Sequence, residues 1–141
     1  MAEIERRQIR LSREPLAELQ AGDLVEEVAR RIAMPRDTLA EVKLAVVEAC
    51  LNALEYGDGT VEVAVAAHNE GTEPWLEVEI TDHGPGFDPG SVKDPVLEAK
   101  LRAARKRGWG LALIRRLMDE VEITSRPGLT RVRMIRRRGG M

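Results

Sequence analysis

The sequence predicts an α+β fold, a two-layer α/β sandwich in which helices cover one face of a mixed, mostly antiparallel sheet. Two observations predict it. Two long N-terminal segments repeat apolar residues every three and four positions, as amphipathic helices do, and several later segments alternate apolar and polar residues, as half-buried strands do. The chain of 141 residues has no internal repeat and predicts one domain, residues 1–141.

The N-terminal part begins with a strand and continues with two helices. We expect the strand near residues 4–11 and the first helix over residues 16–33, which ends before Pro35 because proline breaks a helix. The second helix begins at Asp37, a residue type common at N-caps, and runs to the glycine-rich segment 57–59.

The remaining segments alternate strands with loops and one further helix. Residues 89–95 are rich in turn formers, residues 96–107 have helical propensity and suit a mobile lid, and a helix then runs to about residue 118. In the last strand Val132 and Met134 alternate with arginines, the pattern of an edge strand with one wet face. The four strands expected here lie near residues 60–67, 75–81, 120–125 and 131–136.

The second helix carries a carboxylate and a carboxamide on one stripe of its surface. Glu48 and Asn52 are four residues apart, so both side chains can point at one ligand. The amide oxygen of Asn52 suits Mg²⁺, a cation that keeps most of its waters and takes few protein ligands. Glu48 could orient or deprotonate a nucleophile. A solvated helix face has the same spacing, so the pair alone is not diagnostic.

A second motif follows the strand at residues 75–81. Asp82 ends this strand, and Gly84 and Gly86 come directly after it, where glycine lets a ligand approach the main chain closely. A carboxylate in this place can accept a hydrogen bond from an exocyclic amine, which would select adenine over guanine. Taken alone, Asp-x-Gly-x-Gly is also typical of an ordinary turn.

The third motif is Gly108-Trp109-Gly110-Leu111, which leads into the last helix. Helix N-termini bind phosphate through their free amides and the helix dipole. The motif is neither a Walker A loop, because no Gly-Lys-Ser/Thr follows, nor a Rossmann fingerprint, because no strand leads into it.

The three motifs together resemble the N, G1 and G2 boxes of the GHKL ATPases, which have the Bergerat fold: residues 48–52, 82–86 and 108–110. Within that family, residues 44–53 and 117–123 are similar to the bacterial anti-sigma-factor serine/threonine kinases. The resemblance covers roughly residues 5–136 and implies that the protein binds ATP and Mg²⁺.

The resemblance also implies a role for each matching residue. Asn52 would ligate the Mg²⁺ that bridges the ATP phosphates, and Glu48 would be the general base that activates the hydroxyl of a protein substrate. Asp82 would bind the adenine amino group. The other implied nucleotide contacts are Gly84 and Gly86 in the pocket floor, Lys106, Gly108, Trp109, Gly110 and Leu111 in the lid, and Thr130 in a late strand.

Two positions depart from the family pattern. Tyr56 stands where this subgroup commonly has a histidine before glycine, which puts any role of that histidine in doubt. The arginine expected to contact the terminal phosphate is replaced by Lys106, flanked by Arg105 and Arg107. This basic cluster is interpreted either as a phosphate contact or as a solvated lid surface.

Composition excludes several other classes of function. A net charge of −2 gives no general attraction to nucleic acid or anionic membranes, and one Tyr, one Phe and two Trp offer little stacking surface for single strands. The single cysteine, Cys50, lies on the apolar face of its helix and predicts a buried thiol. With neither a signal-peptide pattern nor a long apolar run, we expect a cytoplasmic protein without nucleic-acid or membrane partners.

The function implied by the resemblance is that of an ATP-dependent serine/threonine kinase of the anti-sigma-factor type. It would phosphorylate a small antagonist protein, bind a second regulator such as a sigma factor, and form a homodimer. Two other interpretations stay open. One is a non-catalytic module that holds ATP or ADP and sequesters a partner. The other is a detached histidine-kinase catalytic domain, which the lack of a phospho-acceptor helix disfavours.

Overall fold

The structure is a computed structural model that describes residues 3–56, 59–71, 73–83 and 110–139. The described residues form five strands, β1 (Glu3–Leu11), β2 (Val61–His68), β3 (Trp75–Asp82), β4 (Glu120–Arg126) and β5 (Leu129–Arg137). They also form three α-helices, α1 (Glu18–Ala29), α2 (Arg36–Tyr56) and α3 (residues 110–117), and a short 3-10 helix at Arg30–Ile32.

The strands form one sheet in the order β1-β2-β3-β5-β4, and each pair of neighbours is antiparallel. The predicted sandwich of sheet and helices is confirmed, and the described strands all pair in the antiparallel sense. Among the described residues, no helix is both long enough and apolar enough to cross a membrane.

The core lies between α1, α2 and one face of the sheet. Strand register places apolar residues side by side on this face, with Val63 opposite Ile80 and Val65 opposite Val78. Helix α2 buries its apolar stripe against them, including Val46. Cys50 is fully buried on this stripe, as predicted, and burial, with a smaller effect of the Glu18 charge, raises the pKa of the thiol to about 12.

The other face of the sheet is rich in paired charges, and it corrects one prediction. β5 lies between β3 and β4, so the prediction that it is an edge strand was wrong. Its wet face is real: Arg133 Nε donates to Glu77, and Arg131 Nε lies 3.4 Å from Glu79 Oε1. Alternation of apolar and charged residues indicates that one face of the strand is exposed to solvent. It does not distinguish an edge strand from an interior strand whose charges pair with those of a neighbouring strand.

The helix starts differ slightly from the expected ones. α2 begins at Arg36, because the carbonyl of Pro35 already accepts a hydrogen bond of 2.9 Å from the Leu39 amide. The prediction that Asp37 is the N-cap was therefore wrong, and Asp37 lies in the first turn, where its charge favours the helix dipole. α1 begins two residues after Leu16, whose φ of 65° is incompatible with a right-handed helix.

Candidate functional site

The first described residue of α3 lies directly against the polar stripe of α2. A Cβ atom added to Gly110 would lie 2.6 Å from Glu48 Oε1 and 2.7 Å from Asn52 Nδ2, closer than real Cβ contacts allow. Only glycine fits here without a shift of its neighbours. The structure therefore brings the Glu-x-x-x-Asn motif and the second glycine of the Gly-x-Gly motif into contact.

The end of β3 contributes the second part of the site. Asp82 is only 3% exposed and lies opposite Thr130 of β5 in the strand register. Ser125 of β4 lies opposite Thr130 on its other side, and their hydroxyl oxygens are 2.9 Å apart. Residues opposite one another in register project from the same face of a sheet. Three adjacent strands thus present a carboxylate and two hydroxyls in one row.

A cavity of about 60 Å³ lies between α2, α3 and this row. Asn52, Asp82, Ser125 and Thr130 supply its polar atoms. The rest of its wall consists of Ala49, Ala53, Ile80, Leu111, Ile114, Ile123 and Val132. Apolar walls with a few convergent polar groups are typical of small-molecule sites, and a carboxylate among aliphatic side chains suits a planar heterocycle that bears an amino group.

Six of the predicted site residues lie within the described part of the chain. Asn52, Asp82, Leu111 and Thr130 line the cavity, and Glu48, one turn before Asn52 on α2, lies beside Gly110. The other predicted contacts lie outside the described residues, as does the predicted lid at residues 96–107: Gly84, Gly86, Lys106, Gly108 and Trp109.

Sequence reasoning missed Ser125. Its signal was present in the turn between the last two strands, where Pro127 and Gly128 separate Arg126 from Leu129. Gly128 has a φ of 90°, and the two-residue turn pairs Arg126 with Leu129, so the preceding and following residues, Ser125 and Thr130, become opposite one another.

The amide of Asn52 is available to a ligand. Asn52 Nδ2 is buried and has no hydrogen-bond partner among the described residues, a state that costs free energy unless something binds there. The amide can present its oxygen or its nitrogen by turning about its last side-chain bond. In the described part of the chain, no three His, Cys, Asp or Glu side chains are grouped closely enough to hold a metal ion. These residues fit Mg²⁺ bound mainly through water and phosphate oxygens.

Comparison with known proteins identifies the family of this chain. Residues 12–136 match the family model described as the histidine kinase-like ATPase domain. The serine-protein kinase RsbW of Halalkalibacterium halodurans is 30% identical over 112 residues, which cover 74% of this chain and 67% of that protein. The serine-protein kinase RsbW of a Bacillus cereus strain is 30% identical over 109 residues, covering 73% and 67% respectively.

A solved structure is similar in fold. The RsbU and RsbW domains of Rv1364c from Mycobacterium tuberculosis superpose with a TM-score of 0.68 at 20% sequence identity, over 94% of this chain and 32% of that longer one. At this identity the likeness supports the fold alone. From the family match and the RsbW relatives, we conclude that the chain belongs to the histidine kinase-like ATPase domain family, in the group of the serine-protein kinases similar to RsbW.

Proposed function

We propose that the protein is an ATP-dependent serine/threonine kinase of the anti-sigma-factor type that phosphorylates a small antagonist protein. The observation that carries the proposal is the contact of Gly110 with both Glu48 and Asn52, beside a cavity lined by Asp82 and Thr130. A member of a serine-protein kinase family that retains this arrangement has the groups that phosphoryl transfer needs.

In this proposal the cavity holds the adenine base. Asp82 accepts a hydrogen bond from the adenine amino group, and the hydroxyls of Thr130 and Ser125 support that end of the base. The aliphatic walls exclude water, which strengthens the hydrogen bonds made inside. The phosphates then extend towards Asn52 and the start of α3, where free backbone amides favour negative charge.

Glu48 acts on the protein substrate. The hydroxyl oxygen of a serine or threonine forms a bond to the terminal phosphorus as the bond from that phosphorus to ADP breaks, and the Glu48 carboxylate accepts the hydroxyl proton. Asn52 would hold Mg²⁺, which when bound neutralises charge on the phosphates. Positioning and charge stabilisation supply most of the catalysis of phosphoryl transfer, so we expect the base to contribute a smaller factor.

The proposed partners follow from the same kinase group. They are the antagonist that accepts the phosphate, a second regulator such as a sigma factor, and a second copy of this chain, all in the cytoplasm. The support for them is the resemblance to the anti-sigma-factor kinases. Light scattering of the purified protein tests the homodimer directly.

The Glu48→Gln variant tests the proposed reaction. It should bind ATP and the antagonist encoded beside the gene with wild-type affinity, while phosphorylation of that antagonist falls by about 10²–10⁴-fold, the usual effect of removing a general base. Glu70→Gln, the same change in an exposed loop residue, is the matched control and should keep the wild-type rate.

Two outcomes would contradict the proposal in different ways. A Glu48→Gln variant that phosphorylates at the wild-type rate would remove Glu48 from catalysis. A wild-type protein that binds ATP and the antagonist yet transfers no phosphate would instead be a nucleotide-dependent binding module.

A further inference from the structure

In the segment between β1 and α1, Leu16 has a backbone conformation that is unfavourable for leucine. Pro15 occupies the second position and Leu16 the third position of a turn, which the Ala17 amide closes by donating to the Glu14 carbonyl at 3.2 Å. Leu16 has a φ of 65°, so the turn has the pattern of type II, whose third position favours glycine. The Leu16 side chain is also 66% exposed. Stability does not account for the positive φ, and strained residues of this kind concentrate at functional sites.

Leu16 lines a groove of about 420 Å³ that this turn forms with the C-terminal part of α2. Leu51 and Leu54 line the opposite wall, and Leu51 is 40% exposed. Arg13 Nη1 donates to the carbonyl of Leu54, which fastens the turn to the end of the helix. The groove therefore has apolar side chains from both the turn and α2, and a hydrogen bond joins these two elements.

The groove lies beside the proposed general base. On a helix, the residues at positions i+3 and i+4 lie one turn beyond residue i, one to each side of it. Leu51 and Asn52 therefore flank Glu48. Asn52 is 8% exposed and lines the nucleotide cavity, whereas Leu51 lines the groove. Glu48 thus stands between the two depressions, where an acceptor hydroxyl would have to meet the terminal phosphate.

The charges around the groove favour a basic occupant. Among the described residues that line it, Glu14 and Glu18 are acidic, and Arg13 is basic with its guanidinium donating to the Leu54 carbonyl. Glu55 also lines the groove but has an interaction partner of its own. The described part of the rim therefore places the carboxylates of Glu14 and Glu18 next to apolar walls. A segment that combines an apolar side chain with a neighbouring lysine or arginine is complementary to both features.

We propose that this groove docks the segment of the protein substrate next to its acceptor serine or threonine, and that it recognises an apolar side chain flanked by a basic one. The proposal rests on the kinase function proposed above and assigns its substrate specificity to Leu16, Leu51 and Glu14. The strained turn then has a purpose, because it presents Leu16 to the substrate.

Leu16→Gly is the most informative variant. Glycine relieves the positive φ, so the melting temperature should equal or exceed that of the wild type, whereas loss of a structural leucine would lower it. The KM for the antagonist encoded beside the gene should rise about tenfold, the effect of losing the burial of one leucine on binding. The Kd for ATP, measured by calorimetry, should stay at the wild-type value.

Three further variants complete the design. Leu51→Ala, on the opposite wall, should also raise the KM about tenfold, and alanine keeps the helix. Glu14→Gln should raise the KM by a smaller factor and weaken its dependence on salt concentration. Ile4→Ala removes an exposed apolar side chain at the start of β1, outside the groove, and should behave as the wild type.

The outcomes separate this proposal from the kinase function itself. If the wild type phosphorylates the antagonist and both leucine variants keep its KM within twofold, the docking proposal is wrong and the kinase stands. If the wild type transfers no phosphate, the docking proposal is tested by the affinity of the antagonist for the ATP-loaded protein, measured by calorimetry. Weaker binding by Leu16→Gly supports the groove without the kinase, and equal affinity, or no binding at all, overturns it.

Discussion

At the scale of single residues, Gly110 determines how closely α3 approaches α2. Its lack of a side chain lets the first described turn of α3 lie against the Glu48 carboxylate and the Asn52 amide. The backbone of α3 at Gly110 is then next to the two side chains proposed to act on phosphate, so one small residue lets a backbone segment, a carboxylate and an amide lie together.

We expect Gly110→Ala to weaken ATP binding without unfolding the protein. The added Cβ would meet Glu48 Oε1 at 2.6 Å and Asn52 Nδ2 at 2.7 Å, so α3 or both side chains must move. Alanine is itself favourable in a helix by up to about 1 kcal/mol relative to glycine, which offsets part of the strain in the folded state. Titration calorimetry should show a Kd for ATP raised about tenfold or more.

The same substitution in α1 is the matched control. A Cβ on Gly22 would meet its nearest neighbours, Lys43 and Val47, at 3.6 Å, an ordinary van der Waals distance. Gly22→Ala should therefore keep the wild-type Kd and raise the free energy of unfolding by up to about 1 kcal/mol. Equal ATP affinity in both variants would show that the close approach of Gly110 has no role in binding.

At the scale of elements, α3 depends on contacts at both of its ends. The described residues of α3, 110–117, form about two turns, and a segment of that length depends on tertiary contacts for its stability. Gly110 contacts α2 at one end. At the other end Arg136 of β5 donates to the carbonyl of Leu117, and its Nη1 lies 3.3 Å from Glu41 Oε2 on α2. A cation at a helix C-terminus also favours the helix dipole.

Arg136→Met should loosen α3 and, through it, the nucleotide site. The variant keeps the aliphatic stem but loses the charge-assisted hydrogen bonds, which are worth about 1.5–3 kcal/mol. We expect amide exchange in residues 110–118 to accelerate, the Kd for ATP to rise, and the free energy of unfolding to fall within that range. Arg126→Met, at the end of an edge strand, should change none of these. Unchanged exchange in α3 would contradict the role given to Arg136.

The elements themselves could be predicted from the sequence because their signals are local. Periods of 3.6 and 2.0 residues are set by neighbours a few positions away, so α2 and β3 were placed to within one residue of their observed bounds. The partners of a strand lie far away along the chain. For that reason the interior position of β5 and the pairing of Ser125 with Thr130 were not predicted from periodicity.

The candidate site likewise combines residues that local sequence signals predict with contacts that depend on the tertiary structure. Glu48 and Asn52 could be paired from their spacing on one helix, and Asp82 from its place at the end of a strand. The contact of Gly110 with α2 requires the position of α3, which depends on tertiary contacts such as that of Arg136 with Leu117. The groove at Leu16 was not predicted either, because a leucine in a turn carries no periodic signal.

At the scale of the whole molecule, α2 belongs both to the core and to the site. One of its faces packs against the sheet and includes Cys50, and the other carries Glu48 and Asn52. Binding of a nucleotide at the polar face should therefore stabilise the packing of the buried face. The chain contains a single cysteine, so its thiol reports on this coupling without interference.

We expect ATP with Mg²⁺ to protect Cys50 from a thiol reagent. The thiol is fully buried, and its pKa of about 12 keeps it protonated at pH 8, so reaction requires the protein to open. In the unfolded chain a cysteine has a pKa of about 8.5 and reacts readily. A ligand at 100 times its Kd stabilises the folded state by about 2.7 kcal/mol, so the rate of modification should fall about 100-fold if opening is global.

The Gly110→Ala variant supplies the control for this measurement. Because it should bind ATP more weakly, the same ATP concentration should protect its thiol less, in proportion to the change in Kd. A wild-type rate that does not respond to ATP would mean that Cys50 becomes accessible through a local opening that leaves the nucleotide site intact. In that case the two faces of α2 would be energetically independent. The packing of the nucleotide site would then depend on α3 and the sheet, and not on the core around Cys50.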